Sequence, residues 1–174
     1  MPHSVEMYFD FVTDGVIRDA WQRMAPLSYS VLNSGTQPHL KLALYDNLEA
    51  PAMVKALEKF AKSTAPLEVV LPGIGIFPSD RSIVFLAPAM TERLLQFHSQ
   101  ILQRFGHCQP WEYCLPSRWV PHCVLARELP PAGLPKIFDA CRAIPLPLSG
   151  RLEKIALVEF EPVKEICVFE LEGG

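Results

Sequence analysis

The sequence predicts an α+β protein. It reads as a single domain over residues 1–174, built as two pseudo-symmetric lobes at approximately 1–88 and 89–174. Each lobe is expected to be a mainly antiparallel sheet backed by helices, and the two enclose a central cleft. Three observations predict this. Pro38-His39-Leu40-Lys41-Leu42-Ala43 and Pro121-His122-Cys123-Val124-Leu125-Ala126 share the form Pro-His-x-x-Leu-Ala, with histidines 83 positions apart in a 174-residue chain. The first half reads strand-helix-strand-helix-strand and the second strand-helix-strand-helix-strand-strand. A hydrophobic content of 49% supplies a core for one domain of this length.

Val5 to Val12 alternates as a strand, with Val5, Met7, Phe9 and Phe11 on one face and Glu6, Tyr8 and Asp10 on the other. Asp14 to Ala25 has helical spacing in Val16, Ile17, Ala20, Trp21 and Met24, and Asp14 is the expected cap. Ser28 to Gln37 is polar and loop-like at its end. His39 to Asp46 reads as a strand, with Leu40, Leu42 and Leu44 on the core face and His39, Lys41, Ala43 and Tyr45 on the other. Pro51 suits the first turn of a helix running to about Lys62. Leu67 to Leu71 and Gly75 to Phe77 read as one strand broken at Pro72-Gly73. Arg81 to Ala87 is a strand, Thr91 to Phe105 the longest helix, and Gly106 its terminator. Cys108 to Arg118 is irregular. Trp119 to Glu128 carries the second motif, Leu134 to Ala143 is a short helix, and Leu152 to Phe160 with Lys164 to Leu171 form a hairpin turning at Glu161-Pro162.

The net charge of −3 lacks the basic surplus that drives bulk duplex nucleic-acid binding. A small phosphorylated ligand or one RNA end needs only a few local cations. The five cysteines form no CxxC pair, so a zinc site is not expected. The start has no basic segment followed by an apolar one, and no apolar run reaches the ~20 residues of a membrane span. The expectation is a reduced, cytoplasmic, monomeric protein with no membrane association.

The motif histidines carry the chemistry. An imidazole exchanges a proton near neutral pH. Two of them facing one phosphodiester can divide the work, one taking a proton from the attacking oxygen and the other giving one to the leaving oxygen. Cations or donors must then meet the charge that develops on phosphorus. Lys41 lies on the His39 face and is either a phosphate contact or a solvated side chain. Val124 shares the His122 face. Arg127 is an odd number of residues from His122, so it reaches the cleft only through a bulge or a strand end, and otherwise forms a surface ion pair. Tyr8 and Tyr45 either line the cleft for a base or pack against a loop. Alternation turns Cys123 to the core. His98 and His107 read as surface or capping groups, and Glu153, Glu159, Glu161, Glu165, Glu170 and Glu172 as a solvated hairpin edge.

Pro-His-x-x-Leu-Ala twice, about 80 residues apart, with a terminal hairpin, resembles the two-histidine phosphoesterases. The nearest branch is the 2'-5' RNA ligase-like proteins, also described as RNA 2',3'-cyclic phosphodiesterases. The resemblance implies two pseudo-symmetric lobes, His39 and His122 as the acid/base pair, no metal or organic cofactor, and Arg127 as a phosphate contact. The family pattern places Thr or Ser two residues after each histidine, where its hydroxyl donates to phosphate. Here those positions are Lys41 and Val124. Lys41 can replace a hydroxyl by a charge-assisted contact, whereas Val124 donates nothing. Two functions follow as expectations. One is a phosphodiesterase acting on 2',3'-cyclic phosphate RNA ends or related nucleotides, weakened by the substituted positions. The other is a catalytically impaired module that binds phosphate or nucleotide in the same cleft.

Overall fold

In the computed structural model, which describes residues 1–27, 31–160 and 162–173 and the backbone of Asn33, the chain turns from strand to helix at Asp10. Strand β1 is His3–Phe9 and helix α1 is Phe11–Met24. The Asp10 carboxylate accepts the backbone N–H groups of Val12 and Thr13, each at 3.1 Å. It also accepts Arg151 N–H at 2.7 Å, which ties the helix start to a distant strand. Burial alone would raise the Asp10 pKa, but these hydrogen bonds outweigh it and hold the carboxyl below its ordinary range. The cap is therefore Asp10 and not Asp14. Phe11 and Val12 form an outward-facing first turn, 91% and 71% exposed, and do not extend the strand.

The remaining elements are β2 (His39–Tyr45), α2 (Ala50–Lys62), β3 (Leu67–Leu71), β4 (Gly73–Phe77), β5 (Ser82–Ala87), α3 (Glu92–Arg104), β6 (Cys123–Leu129), α4 (Leu134–Cys141), β7 (Leu148–Glu159) and β8 (Lys164–Glu170). Pro51 occupies the first turn of α2, and the Thr91 hydroxyl caps α3 by accepting Leu94 N–H. The loop expected to begin at Ser28 and the turn residue Glu161 lie partly or wholly outside the described residues.

Two antiparallel sheets result. The larger runs β2-β1-β7, and the far edge of β7 is shared by β3 along residues 148–152 and β8 along residues 154–159. The smaller runs β4-β5-β6. The expected broken strand is thus two strands in two sheets, with Pro72 at the crossing. Proline has no N–H for a ladder, so it suits the break. The two sheets also do not follow the division at residue 88. β1, β2 and β3 share a sheet with the C-terminal β7 and β8, while β6 joins β4 and β5. The closing hairpin returns to pair with the first strand, which interleaves the halves.

One face of the larger sheet carries Val5, Met7, Phe9, Leu40 and Leu42 into the main core, against α1 and α2. α1 also packs on β6, and the two motif strands touch. The opposite, concave face carries Ser4, Glu6, Tyr8, His39 and Lys41. Among the described residues, no helix is long and apolar enough to cross a membrane.

Candidate active site

The Leu-Ala of each motif shapes its strand. In the β1–β2 ladder Val5 pairs with Ala43 and Glu6 with Lys41, leaving Leu42 as an extra residue. In the β5–β6 ladder Val84 pairs with Ala126 and Phe85 with Val124, leaving Leu125 as the extra residue. Both are β-bulges, which re-aim the side chains that follow. Leu42 and Ala43, like Leu125 and Ala126, both turn into the core. The next residue then returns to the cleft. It is Leu44 in the first motif and Arg127 in the second.

This overturns one expectation and supplies the condition for another. Tyr45 lies in the core, edge-on to Phe105, because the bulge reverses its phase. Burial raises its phenol pKa. Arg127 needed a bulge to face the cleft, and the bulge is there. Tyr8 stays on the concave face, but it is buried with Ala156 and Val158, and its hydroxyl donates to Glu165 at 3.0 Å. It is not an open aromatic wall. Glu165 accordingly serves a hydrogen-bond network as well as the hairpin edge. Cys123 is enclosed, and burial pushes its thiol up to about 12.

The two histidines are held alike. His39 Nδ1 lies 2.7 Å from Gln37 O, and His122 Nδ1 lies 2.7 Å from Val120 O. Each carbonyl is two residues before its histidine. A carbonyl only accepts, so Nδ1 carries hydrogen in both rings and Nε2 is left for chemistry. The residues two positions after each histidine are also held alike. Trp119 Nε1–H donates to Lys41 O at 3.0 Å, and Trp21 Nε1–H donates to Val124 O at 2.8 Å. Each motif strand is thereby tied by an indole from outside its own segment.

A cavity of about 480 Å³ is walled by Lys41, His122, Val124, Arg127, Arg118 and Phe77. A second, of about 470 Å³, shares Lys41 and Arg127 and adds Leu44, Trp111 and Phe160. The two cations stand where the cavities meet. Lys41 Nζ sits 4.7 Å from the centre of the Phe160 ring. Arg118 is paired with Glu112 at 2.6 Å. His39 is two residues before Lys41 on the same face, with 15% of its side chain exposed. Burial is the largest cause lowering the His122 pKa, and the charges of Lys41 and His39 lower it further, against the hydrogen bond to Val120. Lys41 and His122 line the same cavity.

The His122 ring also meets Phe77 at 5.0 Å and Phe85 at 5.3 Å between centroids. A Cβ at Gly75 would run into the Phe85 ring, so glycine is what admits that ring. Gly75→Ala is expected to push Phe85 into His122 and to cost ~1–3 kcal/mol of stability. Chemical denaturation of the variant checks this; an unchanged midpoint would mean that the ring yields freely.

Sequence reasoning missed Glu6, Trp21, Trp119, Phe77, Phe85 and Arg118. It also read His98 as a surface or capping group, whereas His98 is buried and stacked flat on Trp119, with centroids 3.9 Å apart. Its helical spacing with Leu94 and Ile101 was the available signal. Among the described residues, no three His, Cys, Asp or Glu side chains gather to hold a metal ion.

A family model described as the 2'-5' RNA ligase superfamily matches residues 13–163. The chain belongs to this superfamily. Solved structures with the same fold include TT0787 of Thermus thermophilus, at 21% identity over 99% of each chain with TM-score 0.66. The chain is also similar to E. coli LigT complexed with 3'-AMP, at 18% identity over 98% of this chain and 99% of that one, TM-score 0.61. A third, described as a phosphoesterase, has 16% identity over 98% of each chain and TM-score 0.58. No curated protein matched in sequence. Superfamily and fold together support a phosphoesterase or RNA ligase-like activity.

Proposed function

We propose that the protein is a phosphodiesterase that opens 2',3'-cyclic phosphates at RNA ends or on nucleotides by two-histidine acid–base chemistry. The observation that carries this reading is the matched anchoring of His39 and His122, each by Nδ1 to the carbonyl two residues back. It leaves Nε2 of each ring as the nitrogen available for proton transfer. One histidine takes a proton from the attacking water, and the other gives one to the leaving ribose oxygen. Lys41 and Arg127, between the two cavities, are suited to the phosphate oxygens. The complexes of E. coli LigT with 3'-AMP and with phosphate are consistent with a nucleotide phosphate as ligand.

Val124 favours a second reading. It lines the His122 cavity and offers no donor where the family has a hydroxyl. A module that binds the same ligand with little turnover would fit. The deciding experiment is initial rate on 2',3'-cyclic nucleotides and cyclic-phosphate RNA ends, alongside binding of the same ligands. Binding without turnover selects the second reading, and neither sinks both.

Val124→Thr discriminates further. The side chains are nearly equal in size, and the position is only half-buried, so a hydroxyl can be accommodated. The variant is expected to raise the rate about tenfold, equivalent to ~1.4 kcal/mol. The gain should vanish when His122→Ala is added. A gain that persists without His122 would place the activity elsewhere.

A further inference from the structure

We propose that Glu6 is a positioning residue of this site, and that its buried carboxylate keeps a proton on Nε2 of His39. The inference rests on the two-histidine reading above and deepens it.

Glu6 is 1% exposed on the concave face of β1. Its Oε1 accepts the Ser4 hydroxyl at 2.5 Å and lies 3.5 Å from His39 Nε2. Its Oε2 has no hydrogen-bond partner. A carboxylate taken out of water this far needs a cation or a proton. Lys41 pairs with Glu6 in the ladder, but its ammonium is turned to Phe160. The group that meets Glu6 directly is His39.

The tautomer decides what that meeting requires. His39 Nδ1 already donates to Gln37 O. A neutral ring of this tautomer would present the Nε2 lone pair to a carboxylate oxygen, acceptor against acceptor. A proton on Nε2 converts the contact into a charge-assisted one. At 3.5 Å the contact is long, so the proton can pass to an arriving oxygen.

The neighbours leave this assignment standing. On β1, Ser4 donates to Glu6, and burial, followed by the charges of Glu6 and Glu165, raises the Tyr8 pKa, so Tyr8 remains neutral. On β8, Glu165 is engaged by Tyr8 and Gln37, and Cys167 lies beside Tyr8. On β6, His122 is opposed as a cation by burial and by the charges of Lys41 and His39, which suits an acceptor.

The step balances. Water attacks phosphorus and gives a proton to His122 as the new P–O bond forms. The ring P–O bond breaks, and its oxygen takes the Nε2 proton of His39. A monoester results, and solvent carries the proton from His122 back to His39.

The test is ¹⁵N NMR of histidine-labelled protein at pH 7, with His39→Ala used to assign the ring. Wild type is expected to show both His39 nitrogens protonated, and Glu6→Gln a neutral ring with Nε2 bare. A neutral His39 ring in wild type would overturn the proposal. This spectrum needs no turnover, so an inactive protein would sink the functional reading and still decide Glu6. It also needs only wild type should Glu6→Gln fail to fold. In protein that turns over a 2',3'-cyclic nucleotide, Glu6→Gln should lower kcat about 10- to 100-fold. KM should stay within about threefold, the pattern of a group that acts in the transition state. Glu6→Asp should recover part of the rate. An unchanged kcat in Glu6→Gln would also overturn the proposal.

Discussion

His122→Ala is expected to lower turnover of a 2',3'-cyclic nucleotide by about 10²- to 10⁴-fold, the span that a positioned acid or base contributes. The fold should survive. The His122 ring is only half-buried at the cavity wall, and its ring contacts with Phe77 and Phe85 are lost without leaving a buried charge behind. Matched melting curves for wild type and variant, together with rates, separate chemistry from folding. A variant that retains rates within about threefold of wild type would remove His122 from the mechanism.

The pH profile follows with a definite sign. As acceptor, His122 works only when neutral. Burial, Lys41 and His39 hold its pKa below the ordinary imidazole value. The acid limb of kcat/KM should therefore fall below pH ~6.5. The same shift bears on stability. The unfolded chain takes up this proton before the folded one does, so the contribution is present above pH ~6.5 and is lost as pH falls through the folded value. Buried His98, also lowered chiefly by burial, adds in the same direction. An acid limb above pH ~6.5, the ordinary imidazole value, would contradict the role given to His122.

Much of this site was legible in the two motif segments. The repeated Pro-His-x-x-Leu-Ala names both histidines, and period-two alternation turns Lys41 and Val124 to the histidine face. The Leu-Ala pair carried a further message that alternation hides. Two consecutive core residues require a bulge, and the bulge brings Arg127 to the cleft while burying Tyr45. Alternation assumes an unbroken pleat, so it erred wherever the ladder slipped. Glu6 was visible as one acid in Val5-Glu6-Met7-Tyr8-Phe9. Its meaning was not, because only the pairing of β1 with the distant β2 sets it against His39. The sheets draw strands from both sides of residue 88 for the same reason. Element order along the chain echoes between halves, but hydrogen-bond partners are chosen in space, and β1 chose both β2 and β7. Trp21 has helical spacing and Trp119 opens the second motif segment. Their indole N–H groups, which tie the opposite motif, had no local signature.

Removing the two cations shared by both cavities should have the other large effect. Lys41→Ala with Arg127→Ala is expected to weaken binding of inorganic phosphate or a nucleoside monophosphate at least about 100-fold, since hydrogen bonds to charged groups contribute ~1.5–3 kcal/mol each. Each single variant should weaken binding about tenfold or more, at ~1.4 kcal/mol per decade. The two cations meet one anion, so their losses need not add. Arg127 is the more exposed, and it faces the cleft only because of the bulge at Leu125. Lys41 leans on Phe160 and is freer to swing than a side chain locked in an ion pair. The Lys41 variant carries a second signature. Lys41 is one of the charges that lower the His122 pKa, so its removal should move the acid limb of the rate profile to higher pH. Arg127→Ala should weaken the anion without that displacement, because burial, Lys41 and His39 are what act on His122. Calorimetry with phosphate and the two pH profiles read these outcomes. Undiminished phosphate binding in the double variant would put the anion site outside this cleft, and identical pH profiles for the two single variants would deny Lys41 its influence on His122.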